Sequence, residues 1–185
     1  MRRAERRGQI LAAAKRAFSQ NGFAATSLED VAREAGVTKV LIYRHFDSKE
    51  DLYRAALDDA RSRVRSATGR ADQLVEDSLG ALVAVASEDP DGFRLLFRHA
   101  AREPEFRAYA EEFWDRATTV AERYLRELLP DAGRLRWAAQ AVPVVTLETI
   151  IAWLDAGQPG SREAVAAAVN GAVDGLLAAL RHDEG

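Results

Sequence analysis

The sequence predicts an all-α protein, and two observations carry that prediction. Apolar residues recur at helical spacing from end to end. No window shows sustained apolar/polar alternation, and β-branched runs are short and embedded in Ala-rich stretches. Between the periodic stretches lie short connections built of helix caps and breakers, enough to separate about nine helices, with no internal repeat at a fixed period.

Each element has its own signal. Ile10, Ala14 and Phe18 at i, i+4, i+8 place a helix over 5–20, and Gln20-Asn21-Gly22 ends it with residues that tolerate left-handed backbone. Thr26-Ser27-Leu28-Glu29 reads as a capping box, the Thr26 hydroxyl taking an orphan amide while Glu29 reaches back. The short helix that follows stops at Ala35, before Gly36. Thr38 caps a second short helix over 39–46, and Ser48-Lys49-Glu50-Asp51 opens a longer one to about Ser66 with the seam Leu52, Ala56, Ala60, Val64. Thr68-Gly69-Arg70 is the first joint. Beyond it, helices are expected at about 71–87, 90–100, 104–129, 132–156 and 161–181. Pro90 and Pro104 fall where a first turn tolerates a missing N–H, and Ser161 is a good N-cap. Pro130-Asp131-Ala132-Gly133 and Gly157-Gln158-Pro159-Gly160 are loops.

Composition narrows the class further. At 185 residues, with 48% hydrophobic and 30% charged residues, 12 Gly and 5 Pro, the chain is an ordinary globular one and not disordered, collagenous or low-complexity. It has no Cys, which excludes a disulfide framework, a thiol nucleophile and a cysteine-ligated metal, and fits the reducing cytoplasm expected as its location. The uncharged apolar stretch from Trp137 to Leu147 is well short of the ~18 apolar residues of a membrane span. Lys15 and Arg16 interrupt the first apolar run, so no signal peptide and no membrane partner are expected. Residues 1–50 hold ten Lys/Arg against six Asp/Glu, a net of +4 in a chain whose total is −3. A basic quarter on an acidic remainder fits either a solvated helix face or a polyanion partner at one end. Only three of the 26 basic residues are Lys, all early: Lys15, Lys39 and Lys49. Lys39 and Lys49 flank the second short helix at helix N-termini, where a compact ammonium suits a phosphate point contact.

Residues 27–46 hold two short helices hinged at Glu34-Ala35-Gly36-Val37, the pattern a helix–turn–helix asks for. Ala35 permits close approach, Gly36 takes positive φ without a Cβ clash, and Val37 plugs the junction. Val31, Ile42 and Phe46 would face inward against Phe18 and Ile10. Lys39, Val40, Leu41, Arg44 and His45 would face solvent, with Tyr43 at the border. Apolar groups among cations are odd for water and reasonable for a major groove, where they meet thymine methyls, guanine edges and phosphates.

The stretch Ile10-Leu-Ala-Ala-Ala, Phe18, Asn21-Gly-Phe, Thr26-Ser-Leu-Glu-Asp-Val-Ala, Ala35-Gly-Val-Thr-Lys and Ile42-Tyr-Arg-His-Phe-Asp-Ser-Lys-Glu50 resembles the DNA-binding domain of the tetracycline-repressor (TetR) family over about residues 5–58. The resemblance implies roles position by position. Thr26 and Ser27 open the second helix and hold phosphate. Thr38 caps the recognition helix; Lys39, Val40, Leu41, Tyr43 and Arg44 occupy its groove-facing positions; His45 and Lys49 meet phosphate. Val40 departs from the pattern, because many relatives have Gly or Ala there, and favours van der Waals readout over close backbone approach. The arm Arg2, Arg3, Arg6, Arg7 either adds phosphate or minor-groove contacts or is a frayed tail.

A single helix–turn–helix reads too few base pairs, so a homodimer on two half-sites is the physical expectation. The last helix supplies a candidate interface in Val165, Ala168, Val169, Ala172 and Leu176, with a small-residue stripe of Ala164, Gly171 and Gly175 alongside. The family resemblance implies that the last two helices pair with their copies in a four-helix bundle. The organisation expected is a DNA-binding domain over 1–50, a connecting helix over about 48–66, and a ligand-binding and dimerisation domain over 51–185. Polar groups in apolar helices (Gln140, Thr146, Thr149) with Phe97, Tyr109, Phe113, Trp114 and Trp153 have the chemistry of a small-molecule pocket, although aromatics at helical spacing also build plain core. Pro143 should kink its helix.

The function expected is a dimeric, ligand-responsive transcriptional regulator, most often a repressor in the resembled family. It would bind a palindromic double-stranded DNA operator and respond to a small, largely apolar effector. No cofactor or metal is expected. An enzyme would need a nucleophile motif, a Gly-rich phosphate loop or clustered ligands, and only His99 and Glu103 at i, i+4 come near one another. The alternative is a helical interaction module that keeps the fold without DNA binding.

Overall fold

The computed structural model describes residues 3–70, 73–74 and 78–182. Arg2 of the basic arm lies outside them, as do 71–72 and 75–77 of the helix expected to begin at 71. Helices run Arg3–Ala25 (α1), Leu28–Ala35 (α2), Lys39–Tyr43 (α3), Lys49–Thr68 (α4), Ser78–Glu88 (α5), Pro90–Arg94 (α6), Arg107–Leu125 (α7), Ala132–Asp155 (α8) and Arg162–His182 (α9). Two-residue strands, Gly69–Arg70 and Gln73–Leu74, pair antiparallel with Gly69 opposite Leu74. Arg116 of α7 donates to the Gly69 carbonyl beside them.

Side-chain caps begin most of these helices. Thr38 accepts from Leu41 N–H at 3.3 Å, Ser48 from Asp51 N–H at 3.0 Å, Asp131 from Arg134 N–H at 2.8 Å and Ser161 from Ala164 N–H at 3.2 Å. Asp89 caps α6, with Pro90 in its first turn. The capping box of α2 sits one residue later than the expected Thr26/Glu29 register. Ser27 Oγ accepts from Asp30 N–H at 3.1 Å, and the Asp30 carboxylate accepts from Ser27 N–H at 3.0 Å. The reason is Thr26, which is 1% exposed and donates its hydroxyl to the Gly22 and Ala17 carbonyls at 2.7 and 3.3 Å. With Thr26 turned inward, Ser27 takes the cap and Glu29 is released for another partner.

Other boundaries move for local reasons. The expected stop of α1 lies inside its range: Gly22 leaves helical geometry at φ 77°, ψ 172°, and a separate short turn then carries the chain to Ala25. The stretch 90–100 is not one α-helix: α6 widens into a π turn over Leu95–His99 and tightens into a 3₁₀ turn over Ala100–Arg102. α3 ends at Tyr43, and Pro104 precedes α7 instead of opening it. α8 runs through Pro143 as a single helix.

The chain divides into two compact units, residues 1–64 with 89–110, and 65–88 with 111–185. In the first, α1, α2, α3, α4 and α6 bury Ile10, Phe18, Val31, Ile42, Leu52, Leu57 and Leu96. Phe18, Phe23, Tyr53 and Phe106 form an aromatic cluster, with the Tyr53 and Phe106 rings 4.4 Å apart. Burial there pushes the Tyr53 phenol pKa up, aided by the Glu103 carboxylate. A buried ion cluster ties three helices together. Lys15 of α1, 5% exposed, donates to Asp59 of α4 at 2.9 Å and to Asp89 at the start of α6. Arg63 reaches the same two carboxylates at 3.0 and 3.6 Å. Burial raises the Asp59 pKa, but the bonds from Lys15 and Arg63 outweigh it and hold the carboxyl below its usual range.

In the second unit α8 packs on α9, and α5 on both. Ala121, Leu125, Leu129, Ala138, Ala139, Leu177 and Leu180 form its core, flanked by Leu135, Val142, Val173 and Leu176. Arg134 donates to the Leu180 carbonyl at 3.1 Å, and Ser87 to Gln158 at 2.8 Å. By length and composition α8 and α9 are each apolar enough to cross a bilayer. Here they pack on each other, although only 22% of the most apolar window of α9 is buried within the chain.

Candidate nucleic-acid interface

The site is built on the turn between α2 and α3. Gly36 sits in the left-handed region at φ 62°, ψ 37°, and its N–H bonds back to Arg33 at 3.2 Å while Val37 N–H bonds to the Ala32 carbonyl at 2.9 Å. Gln9 of α1 donates to the Ala35 carbonyl at 2.8 Å, closing the end of α2 from outside. Val31, Ile42 and Phe46 are buried as the spacing predicts. That burial fixes which side of α3 faces out.

The outer side carries Val40, 65% exposed, and Tyr43, 49% exposed, with Arg44 also exposed and Leu41 and His45 half-buried. Lys39 is half-buried beside them. Its ammonium pairs with Glu29 of α2 and lies 5.8 Å from the Tyr43 ring centre. The Lys39 bond lowers the Glu29 pKa, and the same bond raises that of Lys39, so both stay charged. Lys49, at the start of α4, donates to the Phe23 carbonyl at 2.9 Å and sits 4.2 Å over the Phe23 ring. Thr38 is exposed, Ser27 is held in its cap, and Thr26 is buried with its hydroxyl spent on α1.

Three side chains at this site escaped a reading along the chain. Glu29 pairs with Lys39 across ten positions, Phe23 receives Lys49 across 26, and Glu103 accepts Phe23 N–H at 3.2 Å across 80. Helical spacing marks none of these, because each crosses between elements. Only the opposite charges of Glu29 and Lys39, on either side of the hinge, hint at a pair.

The residues expected to bind a small molecule fall in both units. Phe97 is buried and Tyr109 half-buried under Arg61, 5.3 Å from its ring centre, in the first. In the second, Phe113 and Trp114 form an edge-on pair at 6.1 Å, Thr146 and Thr149 are half-buried, and Gln140 is exposed. Trp153 is buried and donates its indole N–H to the Pro159 carbonyl at 3.0 Å, which satisfies it internally. One cleft of about 460 Å³ lies within the first unit, lined by Arg7, Leu11, Asp51, Arg54, Asp58 and Tyr109. It is charged, and of the expected set it includes only Tyr109. On α9, Val165 and Val169 are buried inside the chain and Leu176 is half-buried, while Ala168 and Ala172 are exposed with Gly171 and Gly175.

Comparison with known proteins meets this geometry at the same residues. The family model described as bacterial regulatory proteins, tetR family, matches residues 10–56, which span α1 to the first turns of α4. The HTH-type transcriptional activator FasR of Mycolicibacterium smegmatis is 31% identical over 97% of this chain and 85% of its own length. Among solved structures, a TetR-like transcriptional regulator from Rhodococcus sp. RHA1 superposes with a TM-score of 0.78, covering 96% of this chain and 98% of that one at 21% identity. NalD, the secondary repressor of the MexAB-OprM multidrug efflux pump in Pseudomonas aeruginosa, has a TM-score of 0.64 at 25% identity, covering 92% of this chain and 95% of its own. The helix–turn–helix, the full-length relative and the shared helical architecture agree, and the chain belongs to the tetR family of bacterial regulatory proteins, a transcriptional regulator.

Proposed function

We propose that the protein acts as a homodimer that places two copies of α3 in successive major grooves of a palindromic operator and leaves it, or changes its grip, when a small, largely apolar molecule binds the body. The observation that carries this reading is the outer face of α3. Val40 and Tyr43 are more exposed than their hydrophobicity favours in water, and they stand beside Lys39 and Arg44. Base edges and thymine methyls complement the apolar pair, and phosphates complement the cations. Lys39, Arg44, His45 and Lys49 are the phosphate-side groups, Val40, Leu41 and Tyr43 the base-side ones. Ser27 and Thr38 present helix N-termini, whose free amides favour phosphate.

The dimer face is the uncovered side of α9, where Ala168, Ala172, Gly171 and Gly175 permit close helix approach. Val165 and Val169, already buried, serve it from behind. Two helices from each chain, α8 and α9, then make a four-helix interface. α4 is continuous across residue 64, where the first unit gives way to the second, and is the element through which effector binding would alter half-site spacing. The direction of regulation follows from where the operator lies. Repression is expected where it overlaps a promoter, whereas the relative matched along the whole chain carries the name of an activator.

The test is selection of bound sites from random duplex DNA with purified protein. The reading predicts an enriched palindrome with half-site centres ~10 bp apart, and loss of binding to it in Lys39→Ala, Tyr43→Ala and Lys49→Ala. No enriched sequence would leave an interaction module without DNA binding, and full binding by all three variants would remove α3 and the start of α4 from the interface. A thermal-shift screen of apolar metabolites tests the effector.

A further inference from the structure

We propose that Glu29 is a specificity-determining residue: its carboxylate holds the Lys39 ammonium in an internal ion pair that a DNA phosphate has to displace, which suppresses grip on non-operator duplex. The inference rests on the reading of α3 as the groove-entering helix.

The first turn of α2 carries two carboxylates. Asp30 completes the cap of Ser27 and also accepts from Arg33 at 3.0 Å. The cap needs no second acid. Glu29 instead reaches across the hinge to the first residue of α3, and its side chain and that of Lys39 are 57% and 41% exposed. An exposed pair of two long side chains contributes little to folding. Its position is more telling: it neutralises one of the cations beside Val40 and Tyr43, and holds it against the Tyr43 ring.

The consequence is thermodynamic. A free lysine that neutralises a phosphate releases a condensed counterion from DNA, so each such contact adds ~0.9 to the slope of log K against log salt on duplex DNA. A lysine that comes with Glu29 releases little on balance, because the carboxylate stays beside it and cancels the charge the pair brings to the duplex. Lys39 therefore adds little salt-driven attraction toward arbitrary sequence. It moves to phosphate only where base contacts by its neighbours fix the head in register.

The experiment uses the full chain with a mixed-sequence duplex and with the selected operator, comparing the parent, Glu29→Gln, Lys39→Ala and the double variant across a salt series. Glu29→Gln is expected to tighten mixed-sequence binding and steepen the salt slope by ~0.9 per head, a further factor of about 3.5 for each fourfold change in salt. In the Lys39→Ala background the same substitution is expected to leave the slope unchanged, as a coupled pair requires. Equal slopes for the parent and Glu29→Gln would overturn the proposal, as would a steepening that persists without Lys39. If Lys39→Ala binds the selected operator as tightly as the parent, the reading of α3 itself fails. If it binds more weakly while Glu29→Gln is silent, only the role of Glu29 fails.

Discussion

Among the described residues, Lys15 is the basic residue whose environment departs most from what its type suggests. A lysine inside a helix near an apolar seam would ordinarily extend its ammonium to water. Here the ammonium is enclosed between Asp59 and Asp89 and joins α1, α4 and α6. Lys15→Met keeps the stem but leaves Asp89 with Arg63 as its remaining partner in this cluster, and should destabilise the protein by about 3 kcal/mol, the low end for a broken buried pair because Asp59 reaches solvent. The midpoint of urea unfolding checks this. His99 gives a prediction in pH. Burial lowers its pKa, the neighbouring Arg102 and Arg98 lower it further, and a hydrogen bond to the Ser19 backbone and the Glu103 charge oppose them. The folded state thus favours the neutral ring. That contribution is complete above about pH 6.5 and is lost as pH falls through the lower folded value, because the unfolded chain binds the proton first. The melting temperature of the parent should fall more between about pH 7.5 and about pH 5.5 than that of His99→Asn. Neither role was legible along the chain. Lys15 read only as a break in the first apolar run, and His99 with Glu103 read as a bare i, i+4 pair, because their partners lie on other elements.

At the scale of elements, the helices that local chemistry alone determines were the ones the sequence specified best. Thr38, Ser48 and Ser161 cap where their types predict, and the seam Leu52, Ala56, Ala60, Val64 is buried throughout. The capping box of α2 slipped by one residue because two hydroxyls stood side by side, and only the carbonyls left by the Gly22 break decide which turns inward. The π and 3₁₀ turns after α6 likewise follow no local motif; the Phe93 and Phe97 rings pack edge-on there, 4.6 Å apart. Gly36 is the opposite case, a conformation legible from residue type alone. An added Cβ there would touch nothing within 4 Å, so the cost of Gly36→Ala is conformational. At φ 62° it should be about 1–2 kcal/mol, read as a lowered unfolding midpoint.

For the whole molecule, the helix–turn–helix and its exposed side chains were foreseeable because the matched motif lies in one gapless stretch. The association of 89–110 with the same compact unit was not, since no pattern links it to residues 1–64. The body follows the same rule. That α8 and α9 are too apolar for lone surface helices is plain from composition, yet only the structure separates Val165 and Val169, buried at home, from Ala168 and Ala172, left outside. Ala172→Glu should therefore abolish association and operator binding together while the far-ultraviolet circular dichroism of the subunit is unchanged. The measurement that bears most directly on the two-headed account is sedimentation equilibrium of the protein with a single selected operator duplex. Two subunits on each duplex are expected, and two subunits per particle without it at micromolar concentration. One subunit in both conditions would contradict this.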